Sequence, residues 1–193
     1  MIKVGPLKNV AAPIAYHPDL IYCKLGKTVF HGTAEMLGNA YPEDVKFNAC
    51  STGRYFIHNT GYTHPLLLEK AIKMEQTVIN VSQGYAKCSV VEVNEDSIIT
   101  YDRGIAVRAE KAGMNVLMIR PGWVELPGYP TGFIGGASGL VGKQLIFNGD
   151  LSAHPDYMAM RDFIEKRGIE CVYFKEYPLT DIGSIVEERT NCK

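Results

Sequence analysis

Three stretches of the chain share one order of apolar and polar positions. Each opens on a run of β-branched, aromatic or aliphatic residues that ends at Asn or Asp, with Gly close behind: 55–59 with Gly61, 97–102 with Gly104, and 144–148 with Gly149. Asn59, Asp102 and Asn148 follow one another at about 43 and about 46 residues, inside the range of repeat periods. An amphipathic stretch comes next in each case (65–76, 105–112 and 155–167). In the third, Tyr157, Met160, Phe163 and Ile164 recur at helical spacing and make one apolar face. Pro155 and Asp156 suit its first turn, and Lys166, Arg167 and Gly168 its last. Asp102 reads as the N-cap of the middle helix and Gly113 as its terminator; His64 and His154, each before a proline, read as capping residues of the other two. A short β-branched run follows each helix (77–81, 115–119, 170–174), and a further candidate strand precedes each unit (46–50, 87–93, 133–138). The pattern thus predicts a β-β-α-β unit three times.

The ends read as partial units. Residues 18–24 and 27–30 form a candidate hairpin about Leu25 and Gly26, with one helical turn at 34–37 after it, and 180–186 reads as the first strand of another unit. The expected organisation is one domain over 1–193, with units at about 16–40 (partial), 46–82, 87–120, 133–175 and 180–186 (closing partial). A unit of this kind cannot cover both faces of its sheet alone, so neighbours are expected to pack around a ring with their first strands along its axis.

Composition narrows the function classes. Of 193 residues, 46% are hydrophobic, enough for a sizeable core. Twenty basic residues against 21 acidic ones leave no surplus to neutralise phosphates, so nucleic acid is not an expected partner. No apolar run is long enough to span a membrane, and Met1–Pro6 shows no charged-then-apolar leader. Five scattered cysteines without CxxC spacing argue against a disulfide framework or a zinc site; a reducing, cytoplasmic setting with no metal and no cofactor is expected.

Asn48-Ala49-Cys50, residues 83–89, residues 132–136 and residues 179–184 resemble an uncharacterised family of the pentein superfamily, the guanidino-group-modifying enzyme fold, over about 16–186. The resemblance implies an α/β propeller of β-β-α-β units about a pseudo-five-fold axis. It also implies a template: a central thiolate attacks a guanidinium carbon, carboxylates pair with its nitrogens, and a histidine moves protons. The sequence departs from that template. The last inner strand reads Asp181-Ile182-Gly183-Ser184, where catalytic members carry the nucleophilic Cys, and 134–139 contains neither His nor acid.

Candidate site residues therefore come from this chain's own pattern. Cys88 is the candidate nucleophile, or a small buried strand residue; Lys87 would lower its pKa, but neighbours on a regular strand face opposite ways. His17 is the candidate acid/base and Asp19 an anchor for a cation, or both serve a turn about Pro18. Asp181 is a second anchor, or a turn aspartate before Gly183. Asn48 and Ser138, with Ser89, would add neutral hydrogen-bonding groups. Cys23, Cys50 and Cys171 read as packing residues and Cys192 as an inert tail residue. Residues 135–139 lack the GxxxxGK[ST] spacing and precede a strand, so their glycines read as close approach at the axis, not a phosphate cradle. Trp123, in the longest irregular segment, reads as a lid or as packing on the rim.

Two functions remain open at this level. One is a hydrolase-like or amidinotransferase-like enzyme, active or degenerate, binding a small arginine-like guanidino or amino-acid-like ligand. The other is a non-catalytic binding module of the same fold. Either is compatible with a homodimer.

Overall fold

The computed structural model describes residues 5–8 and 10–188. Met1–Val4, on which most of the leader expectation falls, and Cys192 lie outside the described residues. In chain order the hairpin strands are β1 (Tyr22–Leu25) and β2 (Thr28–His31). There follow β3 (Cys50–Ser51), β4 (Tyr55–His58), α1 (Pro65–Lys73) and β5 (Thr77–Asn80). Then come α2 (Ala86–Ser89), β6 (Val90–Asn94), β7 (Ser97–Thr100), α3 (Arg103–Lys111) and β8 (Asn115–Met118). The last group is β9 (Ser138–Val141), β10 (Gln144–Phe147), α4 (Tyr157–Glu165) and β11 (Glu170–Val172).

These strands make a mixed α/β fold of four small, separate sheets that do not join into a barrel: β1-β2, β3-β4-β5, β6-β7-β8 and β9-β10-β11. In each three-stranded sheet the first pair is antiparallel and the second parallel. Parallel pairing demands a crossover, which α1, α3 and α4 supply. The register repeats too: the first residue of the middle strand faces the first of the third strand, as Tyr55 with Thr77, Ser97 with Asn115 and Gln144 with Glu170. β4 and β7 are buried at every position, which explains why they read as near-continuous apolar runs. Leu67 and Ala71 of α1, Ile105 and Ala109 of α3, and Met160 and Ile164 of α4 point into the core, as their helical spacing predicts. Asp102 caps α3 by accepting from the Ile105 amide at 2.9 Å. Among the described residues no helix is long and apolar enough to cross a membrane.

Contacts pass from β1 to β3, from β3 to β6 and from β6 to β9. Beyond β9 the chain end takes over: Ser184 N donates to Gly136 O at 2.7 Å and Ile185 N to Ser138 O at 2.9 Å, while Asp19 N donates to Gly183 O at 3.1 Å. Residues 180–186 form no laddered strand: Thr180 makes an isolated bridge with Glu125, Gly183 and Ser184 are left-handed, and the Ile182 and Ser184 amides both donate to the Gly136 carbonyl.

The predicted first strands start later than their patterns suggest. Of 46–50 only Cys50 is in a strand, 87–89 belongs to the helical turn α2, and 134–137 is a turn from which only Ser138 enters β9. The reason is mutual capping at long range. Asn48 Oδ1 accepts from the Cys88 amide at 3.2 Å, and Gly136 N donates to the Cys88 carbonyl at 3.0 Å. α4 likewise begins at Tyr157, because the Asp156 carboxylate is taken by the Arg120 backbone amide and guanidinium. Neither histidine caps its helix through the side chain: His154 accepts from the Asp156 amide at 3.0 Å in the turn before α4, and His64 stacks on Phe47.

His58 sits fully buried beneath α2, donating through Nε2 to the Gly84 carbonyl at 2.8 Å, with Nδ1 2.7 Å from the Thr63 hydroxyl. Burial lowers its pKa from the ordinary 6.5 to about 4. Between those values the unfolded chain binds a proton that the native state refuses. Stability is therefore complete above pH 6.5 and falls as the pH drops, by about 3 kcal/mol in all by pH 4. His58→Gln keeps an amide donor for Gly84 and is expected to flatten this part of the curve in urea titrations between pH 4 and 7. An unaltered slope would assign the acid sensitivity to other groups.

Candidate functional site: a buried anionic cluster around Cys88

Five of the seven residues singled out from the sequence, all but Ser138 and Ser89, meet. The turn at Pro18–Leu20 brings in His17 and Asp19, the loop before β3 brings in Asn48, α2 brings in Cys88, and the segment after residue 180 brings in Asp181. Each is at most 5% exposed. The Cys88 thiol donates to Asp19 Oδ2 at 3.0 Å, and Asn48 Nδ2 donates to Cys88 Sγ at 3.2 Å. Asp181 accepts from the Phe133 amide at 2.9 Å and the Gly183 amide at 3.0 Å, and its Oδ1 lies 3.8 Å from His17 Nδ1. Ser138 is buried nearby without joining them; its hydroxyl is turned to the Gly135 carbonyl at 3.3 Å.

Ser184 completes the cluster and was not among the residues singled out. Its hydroxyl lies 2.6 Å from Asp19 Oδ2 and 3.1 Å from the Gly135 carbonyl, and its backbone is left-handed at φ 71°. For a non-glycine residue that conformation carries a strain of order 1 kcal/mol or more, sustained only where the surroundings fix it. The available signal was positional: Ser184 ends the segment 179–184, one of the four on which the family resemblance rested.

The electrostatics oppose a resting thiolate. Burial, then the Asp19 and Asp181 charges, hold the Cys88 thiol well above its usual range. Burial also raises Asp181, against the pull of His17. Lys87 does not relieve the cluster, because its ammonium turns to the Gly135 carbonyl at 3.3 Å. The one-turn helix, absent from the strand expectation, sends the neighbours apart as a strand would. Asp19 Oδ1, like Asp44 Oδ1 elsewhere, is a buried carboxylate oxygen without a hydrogen-bond partner. Such an atom costs free energy unless a cation or donor is brought to it.

Beside the cluster stands a row of rings. Phe133 lies 6.0 Å from Tyr85 and 6.2 Å from Tyr101, and Tyr85 lies 5.9 Å from Tyr41, centroid to centroid. Burial, with Asp102 and Cys88 nearby, pushes the Tyr101 hydroxyl up to about 12, and the Tyr85 hydroxyl is anchored on Asp44 at 2.6 Å. These rings stay neutral and present π faces that favour cations. Trp123, half exposed, packs edge-on against His154 at 5.3 Å. Cys23 and Cys50 are buried packing residues, and Cys171 is partly buried. As to metals, His17, Asp19 and Cys88 can each bring one ligand atom within 4.8 Å of the others.

No curated protein matches the chain. Among solved structures, the C315S agmatine deiminase of C. jejuni with substrate bound is similar at 8% identity and a TM-score of 0.46, over 66% of this chain. The chain spans about half of that protein's length, the alignment covering 49% of it. A family model matches residues 29–186, and on that match the chain belongs to a family of unknown function (DUF6873).

Proposed function

We propose that the four sheets and the segment 180–186 form a pentein-like propeller whose axial cluster binds a small guanidino or amino cation. In this reading Cys88 is the nucleophile of a hydrolase-like or amidinotransferase-like reaction. Support for the arrangement comes from the succession of contacts among first strands, continued through 180–186 to the turn at Asp19. The observation that carries the ligand reading is the Asp19 carboxylate, fully buried, with Cys88 and Ser184 on one oxygen and nothing on the other. Asp181 adds a second carboxylate, and the Tyr85, Phe133 and Tyr101 rings add cation-favouring faces.

The chemistry follows from charge. A bound guanidinium compensates the two carboxylates that hold the thiol protonated, so substrate itself promotes ionisation of Cys88. The thiol proton passes to Asp19 Oδ2, Sγ bonds to the amidino carbon, and the departing amine takes a proton from His17. Water, or an acceptor amine, then attacks the same carbon and gives a proton back to His17, and the carbon–sulfur bond breaks as Sγ recovers the proton held by Asp19. Asn48 Nδ2 steadies the sulfur throughout. The non-catalytic reading keeps one observation of its own: without a cation, burial and both carboxylates hold the thiol inert.

Chloroacetamidine tests the proposal, being a cationic amidine with its own leaving group. It is expected to alkylate Cys88 saturably and faster than the more exposed Cys171, with arginine and agmatine protecting. The same guanidines are expected to raise the melting temperature, by about 2.7 kcal/mol of stability at a hundredfold excess over Kd. Guanidine-dependent stabilisation with an unreactive Cys88 would select the binding module; neither effect would end the cation reading.

A further inference from the structure

We propose that His17, Asp19 and Cys88 form a transition-metal site with a preference for zinc, independent of the guanidine reading. Three observations converge. The three side chains are buried, and their donor atoms, one imidazole nitrogen, one carboxylate oxygen and one sulfur, all fit within 4.8 Å of one another. Nitrogen, oxygen and sulfur donors together suit a borderline ion such as zinc, and exclude calcium and magnesium, which take oxygen alone. The second observation points to a ligand directly: Asp19 Oδ1 is buried without a partner, in a cluster whose other carboxylate, Asp181, is also buried.

The third is that each ligand has a polar group behind it. Asp181 Oδ1 stands 3.8 Å from His17 Nδ1, so a shift of under 1 Å would make the carboxylate–imidazole hydrogen bond that orients a metal-binding histidine. Asn48 Nδ2 donates to Cys88 Sγ at 3.2 Å, and the Ser184 hydroxyl lies 2.6 Å from Asp19 Oδ2. Three protein ligands leave a fourth tetrahedral position for water or a small anion, the pattern of reactive sites. At zinc–ligand distances of about 2.0–2.3 Å the donors must draw together by roughly 1 Å. The ion takes the place of the thiol proton: one metal–sulfur bond forms, one S–H bond breaks, and one proton leaves to solvent for each ion bound. CxxC spacing could not reveal such a site, because its ligands come from two distant turns.

The test uses the full chain dialysed against chelator and titrated with Co(II) alone. One equivalent is expected to produce a near-ultraviolet thiolate-to-cobalt band and intense four-coordinate visible bands, all displaced by Zn(II). Cys88→Ser, nearly isosteric, is expected to lose the ultraviolet band with its circular dichroism unchanged. Asp181→Asn is expected to keep the band and weaken zinc binding about tenfold or more, as loss of an orienting partner does. Absence of the band at stoichiometric cobalt overturns the proposal, and so does a band that survives in Cys88→Ser. The guanidine response, read on the same chelated protein, succeeds or fails separately.

Discussion

Asp19→Asn is expected to make the protein more stable and to remove its response to cations. The side chain is fully buried, close enough to Asp181 for the two charges to repel, and has one oxygen without a partner. Asparagine has nearly the same shape, and its carbonyl oxygen can still accept from Ser184 or Cys88. Removing a desolvated charge at little cost in hydrogen bonds is expected to gain about 1–3 kcal/mol. In a chain of this length that is a rise in melting temperature of roughly 2–10 °C. A cation would then lose its principal counter-charge, and affinity is expected to fall by about 30-fold or more. Melting curves with and without agmatine read both effects. A variant that melts lower and keeps the agmatine shift would show that Asp19 is structural and that the ligand reading is wrong. The expected trade of stability against binding is the mark of a site kept charged for use.

Gly135→Ala is expected to cost the fold far more than an alanine in an exposed loop. A Cβ on Gly135 would fall inside van der Waals distance of the backbone oxygens of Val90, Lys87 and Cys88, the last at 2.6 Å. Backbone that is itself hydrogen-bonded gives way poorly, so the turn at 134–137 must separate from α2. A loss of about 3 kcal/mol or more is expected in urea denaturation, at the upper end of overpacking. Gly61→Ala is the control: its nearest neighbour would be the Asn59 side chain at 3.3 Å, in an exposed loop. Losses within 1 kcal/mol of each other in the two variants would mean that the α2 contact is dispensable.

What the sequence revealed follows from which forces are local. β4, β7, β10 and the three long helices were legible because their burial is written as unbroken apolar runs or helical spacing, with Asp102 marking a start. The first strands were misplaced because 86–89 and 134–137 are shaped by Asn48 and by each other, residues about 40 apart in the chain. His64 shows the same limit, since only the fold brings Phe47 to its ring face. In the candidate site, Asp19 and Asp181 stood out as acids in segments read as turn or inner strand, and Cys88 as a thiol beside Lys87. Ser138 looked equivalent to them, yet the turn aims it at a carbonyl. Ser184 looked ordinary because its importance rests on a partner 165 residues earlier. Tyr85, Tyr101 and Phe133 carried no assigned role in the sequence, and only their mutual placement makes a wall.

That separation between Asp19 and Ser184 has a consequence for biosynthesis. At ribosomal rates of about 5–20 residues per second, Asp19 leaves the exit tunnel roughly 8–30 s before Ser184. Throughout that interval its carboxylate stays hydrated, and the first half of the protein lacks the pieces that would seal it from water. The acidic centre is therefore assembled last, after the sheets that surround it. A nascent chain interrupted before residue 180 would carry most of the scaffold and lack the contacts that Asp181 makes to His17 and Ser184 to Asp19.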